Sequence, residues 1–91
     1  MDLEGLPGGT MIAEGLADLH AGRESTAALL VLIGRPRLQR LGLEIPAPGI
    51  AHPEHRLYER LADSGSDSAH SRYNALIRLR VSFERAAECA G

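Results

Sequence analysis

Residues 68–89 read SAHSRYNALIRLRVSFERAAEC, and whether this stretch forms one helix decides the fold. At about 100° per residue, Ala69, Tyr73, Leu76, Leu79, Phe83 and Ala86 form a single stripe, with Ile77 and Val81 widening one flank. The pattern predicts a helix from Ser66 or Asp67 to Cys89. Its polar residues divide into two groups. Arg72 and Arg80 fall within or beside the apolar stripe, where a guanidinium must be paired and hydrogen-bonded or it costs several kcal/mol. They are assigned to structural ion pairs, and Glu84, Glu14 and Asp18 are the candidate partners of Arg80. Asn74, Arg78, Ser82 and Arg85 line the opposite side, with Ser71, as a hydrogen-bonding strip that the core does not need.

Working back along the chain, DSGSDS at 63–68 separates this helix from another that Pro53 opens and Leu57, Tyr58 and Leu61 face inward. LEIPAPGIAH, residues 43–52, holds two prolines, a glycine and no helical period, and reads as an extended connector tethered by Leu43, Ile45 and Ile50. Before it, Pro36 makes RPRLQRLG either a short helix at about 36–41 with the proline in its first turn or the far side of a sharp kink, because proline has no N–H to donate and its ring crowds the preceding turn; the short helix is the expectation. TAALLVLI, residues 26–33, is apolar almost all the way round, which places it in the middle of the fold with Ser25 as its cap. A first helix runs from a Thr10 cap to the neighbourhood of Gly22, with Ile12, Leu16 and Leu19 on one face.

The expectation is therefore an all-α fold, one domain over 1–91, with four principal helices and the short one at 36–41. Residues 1–9 read as a flexible lead-in. The core is expected at Leu16, Leu29, Leu32, Ile33, Leu57, Leu61, Leu76, Leu79 and Phe83. Composition agrees with this reading: fourteen leucines and thirteen alanines supply the packing, and Phe83, Tyr58 and Tyr73 are the only aromatics. A chain of this length removes only about 60–65% of its unfolded surface from water, so a partner subunit would add useful stability.

The net charge of −2 hides an asymmetry. Residues 1–34 carry five acids against Arg23 alone, whereas residues 35–91 carry nine arginines against seven acids. All ten basic residues are arginine, which suits bidentate recognition of carboxylate or phosphate but also follows from codon bias in a GC-rich genome. Arg35, Arg37 and Arg40 lie within six residues of one another and form a second candidate partner-binding cluster.

The sequence carries no constellation for several chemistries. His52 and His55 are three apart, but a tetrahedral zinc site needs two more ligands, and His20, His70 and Cys89 stand at none of the usual spacings. GLPGGT lacks the phosphate-cradling pattern of a P-loop. Cys89 has Glu88 beside it and no basic neighbour closer than Arg85, so it lacks the electropositive setting of a reactive thiolate. No enzyme activity, metal, cofactor or small-molecule substrate is expected. MDLEGLPGG has neither the basic region nor the apolar stretch of a secretory signal, and AALLVLI is too short to cross a bilayer, so a bacterial-type cytoplasm and no membrane are expected.

What remains is a binding role. The expected function is that of a protein-binding adaptor, antitoxin-like or accessory subunit, engaging another protein or itself. The alternative is an accessory nucleic-acid-binding protein that contacts phosphates through its arginine clusters. It is weakened by a second helix too short for a helix-turn-helix and by the absence of a basic surplus.

Overall fold

The computed structural model describes residues 3–46 and 49–90, and these fold into helices with no strand among them. After a single 3-10 turn at Leu3–Gly5 come α1 (Gly9–His20), α2 (Thr26–Ile33), α3 (Arg35–Arg40), α4 (Pro53–Ser64) and α5 (Ser66–Ala90). At about 1.5 Å per residue the 25 residues of α5 span some 37 Å, which accounts for the 38 Å long axis of a molecule measuring 38 × 25 × 18 Å.

α2 is the hub because its sequence leaves no polar face to give to water. Ala27, Ala28, Leu29, Leu30 and Val31 are all buried, and the helix packs against α1, α4, α5 and α3. Ser25 caps it as expected: its Oγ accepts the Ala28 N–H at 3.0 Å while its own hydroxyl donates to Asp18 Oδ2 at 2.6 Å. Asp18 also meets Arg23 at 3.2 Å, so one carboxylate joins the end of α1 to the start of α2. Gly15 lets these two helices touch. A Cβ there would lie 2.4 Å from the Ala27 carbonyl oxygen and 2.6 Å from Val31 Cγ2.

Two core clusters flank the hub. One gathers Ile12, Leu19, Ala28, Val31, Leu38, Ile45, Phe83 and Ala87; the other gathers Leu29, Leu30, Leu57, Leu61 and Ala69. Leu43 packs against the first and Ile50 against the second, so both ends of the connector are tethered; Ala47 and Pro48 lie outside the described residues.

Three expectations are corrected. Thr10 does not cap α1; Gly8 occupies that position with φ 72°, a left-handed conformation open to glycine, and packs so closely on Leu79 that a Cβ would sit 3.0 Å from its Cγ. Residues 3–8 are not a bare lead-in, since Leu3 and Leu6 pack against the first core cluster; Met1 and Asp2 lie outside the described residues. The buried stripe of α5 is Ala69, Arg80, Phe83, Glu84 and Ala87, with Leu79 and Ala86 only half-buried. Ala87 is eighteen residues, five full turns, beyond Ala69, so the true centre of the stripe passes through Arg80 rather than Leu79.

Candidate functional site

Where α3 lies against the C-terminal half of α5, two charged residues enter the core side by side. Arg80 is 8% exposed and Glu84 3%, one turn apart on α5, with Arg80 Nε 3.4 Å from Glu84 Oε2. Of the three carboxylates proposed from sequence for Arg80, packing selects Glu84; Asp18 is engaged by Ser25 and Arg23, and Glu14 is exposed. The 3.4 Å approach is a charge contact without hydrogen-bond alignment. Arg80 Nε and Nη1 and both Glu84 oxygens are enclosed without a hydrogen-bond partner.

A second guanidinium reaches the same carboxylate from α3. Arg37 Nη1 lies 3.6 Å from Glu84 Oε1, while most of the Arg37 side chain stays in solvent. Gly34, at the α2–α3 junction, makes the arrangement possible: a Cβ there would lie 2.5 Å from Arg80 Cδ, so Arg80 packs directly on the backbone. Leu38, fully buried, pins α3 to the core and leaves Arg37 and Arg40 on its outer side.

Two adjoining clefts result. One is lined by Arg37, Arg40, Val81, Glu84, Arg85 and Glu88, the other by Ile33, Gly34, Pro36, Arg37, Arg40 and Arg80. Four arginines thus meet two glutamates on one side of the molecule, and all the acids line the first cleft. An anionic surface meeting this region would find guanidinium groups already gathered, with Arg80 and Glu84 held in place by burial.

The structure treats the sequence-proposed residues unequally. Arg37, Arg40 and Arg85 come together although they stand in separate clusters along the chain. Arg35 is half-buried, with its Nε enclosed and unpartnered. Asn74, Arg78 and Ser82 lie apart from the clefts: the Asn74 amide meets His70 Nε2 at 3.2 Å, Arg78 Nε donates to the Asn74 carbonyl at 3.4 Å, and Ser82 is exposed. Arg72 is corrected outright. It is exposed and lines a surface depression with Thr26, Arg60, Leu61 and Asp63, where it makes no ion pair among the described residues, although Ala69 one turn earlier is buried in the second core cluster.

Sequence reading missed Glu88 and the contact between Arg37 and Glu84. The i,i+4 spacing of Glu84 and Glu88 on α5 was the available signal for Glu88; the contact from Arg37 has none, since it joins two helices. It also missed Arg56, whose Nε donates to Glu24 Oε1 at 3.2 Å and whose Nη2 pairs with Oε2, clasping α4 to the α1–α2 loop. Glu24 holds the Arg56 guanidinium above its ordinary pKa, first by hydrogen bonding and then by charge.

Elsewhere, His52 and His55 are exposed and His55 Nε2 sits 2.7 Å from Glu59 Oε1. Cys89 is exposed. Among the described residues no three histidine, cysteine or acidic side chains gather as a metal site, and no helix is long and apolar enough to cross a membrane. No protein-family model, curated protein or solved structure matches the chain.

Proposed function

We propose that this chain is a non-enzymatic protein-binding module, an adaptor, antitoxin-like or accessory subunit of a bacterial-type cytoplasm, and that it presents the arginine surface of α3 and α5 to an acidic patch on another protein. The observation that supports this reading is the convergence of Arg37, Arg40 and Arg85 around one cleft, with the buried Arg80–Glu84 pair beneath it. Arginine suits such a surface because its planar fork engages a carboxylate through two hydrogen bonds. A small domain with a modest core also gains stability from a partner, by an amount that rises with the logarithm of the partner's free concentration over its Kd.

The test is a pull-down from the native host, with nuclease treatment, at 50 mM and 200 mM salt. A protein held by a few arginine–carboxylate pairs around an apolar centre loses only a few-fold in affinity over that range. Three phosphate contacts to a nucleic acid would lose roughly 40-fold, following a slope of about −0.9 per phosphate. Arg40→Glu with Arg85→Glu should abolish the association while shifting stability by less than about 1 kcal/mol, since both side chains are exposed. A nuclease-sensitive complex would overturn the protein-binding reading in favour of nucleic acid. Retention of the partner by the double variant would remove the cleft from it.

A further inference from the structure

We propose that the cleft walled by Ile33, Gly34, Pro36, Arg37, Arg40 and Arg80 is a seat for a dianionic phosphate group, either inorganic phosphate or a phosphate monoester. Three guanidinium groups share this cleft and no carboxylate lines it, Glu84 touching Arg37 and Arg80 from the adjoining cleft and leaving an excess of positive charge. Like charges gathered in a partly enclosed space repel one another more strongly than they would in open water, and a dianion between them reverses the sign of that interaction.

A second observation is independent of the charge count. Arg80 is only 8% exposed, yet its Nε and Nη1 have no hydrogen-bond acceptor. Buried donors in folded proteins are nearly always satisfied, and Glu84, 3.4 Å from Nε, leaves Nη1 with nothing. Gly34 supplies no side chain to fill the space, and a Cβ there would lie 2.9 Å from Arg80 Nη1. An anion held by Arg37 and Arg40 in this cleft, which Arg80 itself lines, supplies the missing acceptor.

Phosphate fits better than a second carboxylate. A carboxylate offers two oxygens, which one arginine fork satisfies, and Glu84 already stands beside Arg37 and Arg80 as a carboxylate charge partner. A tetrahedral dianion offers three or four oxygens and twice the charge to three arginines. Arg37 and Arg40, three residues apart on α3, face one another across neighbouring turns and can approach it together.

This inference goes beyond the protein-binding reading and needs no partner for its test. The full chain, labelled with nitrogen-15, is titrated with sodium phosphate and with O-phosphoserine at fixed ionic strength, with sodium chloride and sodium acetate as controls. Saturable amide shifts centred on residues 33–40 and Arg80 are expected with phosphate, but not with chloride or acetate. Replacing both Arg37 and Arg40 by glutamine should weaken binding at least about tenfold, the loss expected for a charge-assisted hydrogen bond, and Arg78→Gln should leave it unchanged. Arg37 and Arg40 are exposed, so the double variant keeps its fold, which a cooperative melting curve with only a modest fall in melting temperature from the lost Arg37–Glu84 contact would verify. Binding of O-phosphoserine places the seat's ligand on a phosphorylated side chain; binding of inorganic phosphate alone identifies it as the free ion. Shifts that never saturate, acetate acting as well as phosphate, or a double variant that binds normally would each overturn the proposal. A failed pull-down with a successful titration would remove the protein partner and leave the seat standing, and the converse would remove the seat alone.

Discussion

Replacing Arg80 by methionine keeps most of the side-chain volume and removes the charge, leaving Glu84 buried with only the 3.6 Å contact to Arg37. Breaking a buried pair from one side costs about 3–5 kcal/mol, because the surviving ion keeps its desolvation penalty and loses its compensation. Arg37 offsets part of that, so the lower end, about 3 kcal/mol, is expected. For a 91-residue domain whose whole stability is about 5–14 kcal/mol, this is a large fraction. At about 4–8 °C per kcal/mol the melting temperature should fall by roughly 12–24 °C. Thermal and urea denaturation followed by circular dichroism at 222 nm would measure it. The double variant Arg80→Met with Glu84→Leu supplies the control: with both charges gone the penalty disappears, and stability should return to within about 1 kcal/mol of wild type. A single variant that melts within about 3 °C of wild type would refute the reasoning. So would a double variant no more stable than the single one.

Two further outcomes follow from the α1–α2 contact. Gly15→Ala should destabilise by about 2–3 kcal/mol despite a helix-propensity gain of about 1 kcal/mol, because its Cβ would meet the Ala27 carbonyl at 2.4 Å and backbone cannot turn aside as a side chain can; urea denaturation showing a neutral or stabilising effect would contradict this. The Ser25 hydroxyl, followed by Arg23, holds the Asp18 carboxyl below its ordinary value of 3.8. A depressed folded-state pKa contributes stability that is present above the unfolded value and lost as pH falls through the folded one. Asp18→Asn should therefore flatten the loss of stability below about pH 4, and identical acid branches for variant and wild type would disprove the linkage.

Much of the architecture was legible along the chain because the signals are local. The nearly all-apolar TAALLVLI pointed to the centre, Ser25 to its cap, Pro36 to a short helix or a kink, Pro53 to a helix start, and the period of residues 68–89 to a helix. Each of these follows from a residue and its neighbours within a turn or two. The helix boundaries reflect the same local chemistry, and where they failed, at Thr10, the deciding contact was Gly8 against Leu79, 71 residues away.

The site was legible only as parts. Periodicity states where a side chain lies around its own helix axis, which is enough to separate Arg80 from Arg78 and Arg85. It does not state which helix lies opposite. Arg80 was pointed inward by its phase, but packing decided that Glu84 is its partner, with Asp18 engaged by Ser25 and Arg23 and Glu14 exposed. Arg72 shares the edge of the same stripe and stays in water, although Ala69 one turn earlier is buried, and the packing partner changes along α5 from the end of α4 to α3 and the connector. The meeting of Arg37, Arg40 and Arg85 is likewise a product of that docking. Buried Leu38 presses α3 onto the core, and Gly34 lets Arg80 pass beneath it. Angular position on a helix is set by the backbone repeat and can be counted from sequence, whereas the gathering of charges is set by how whole helices pack, and only the tertiary structure decides that.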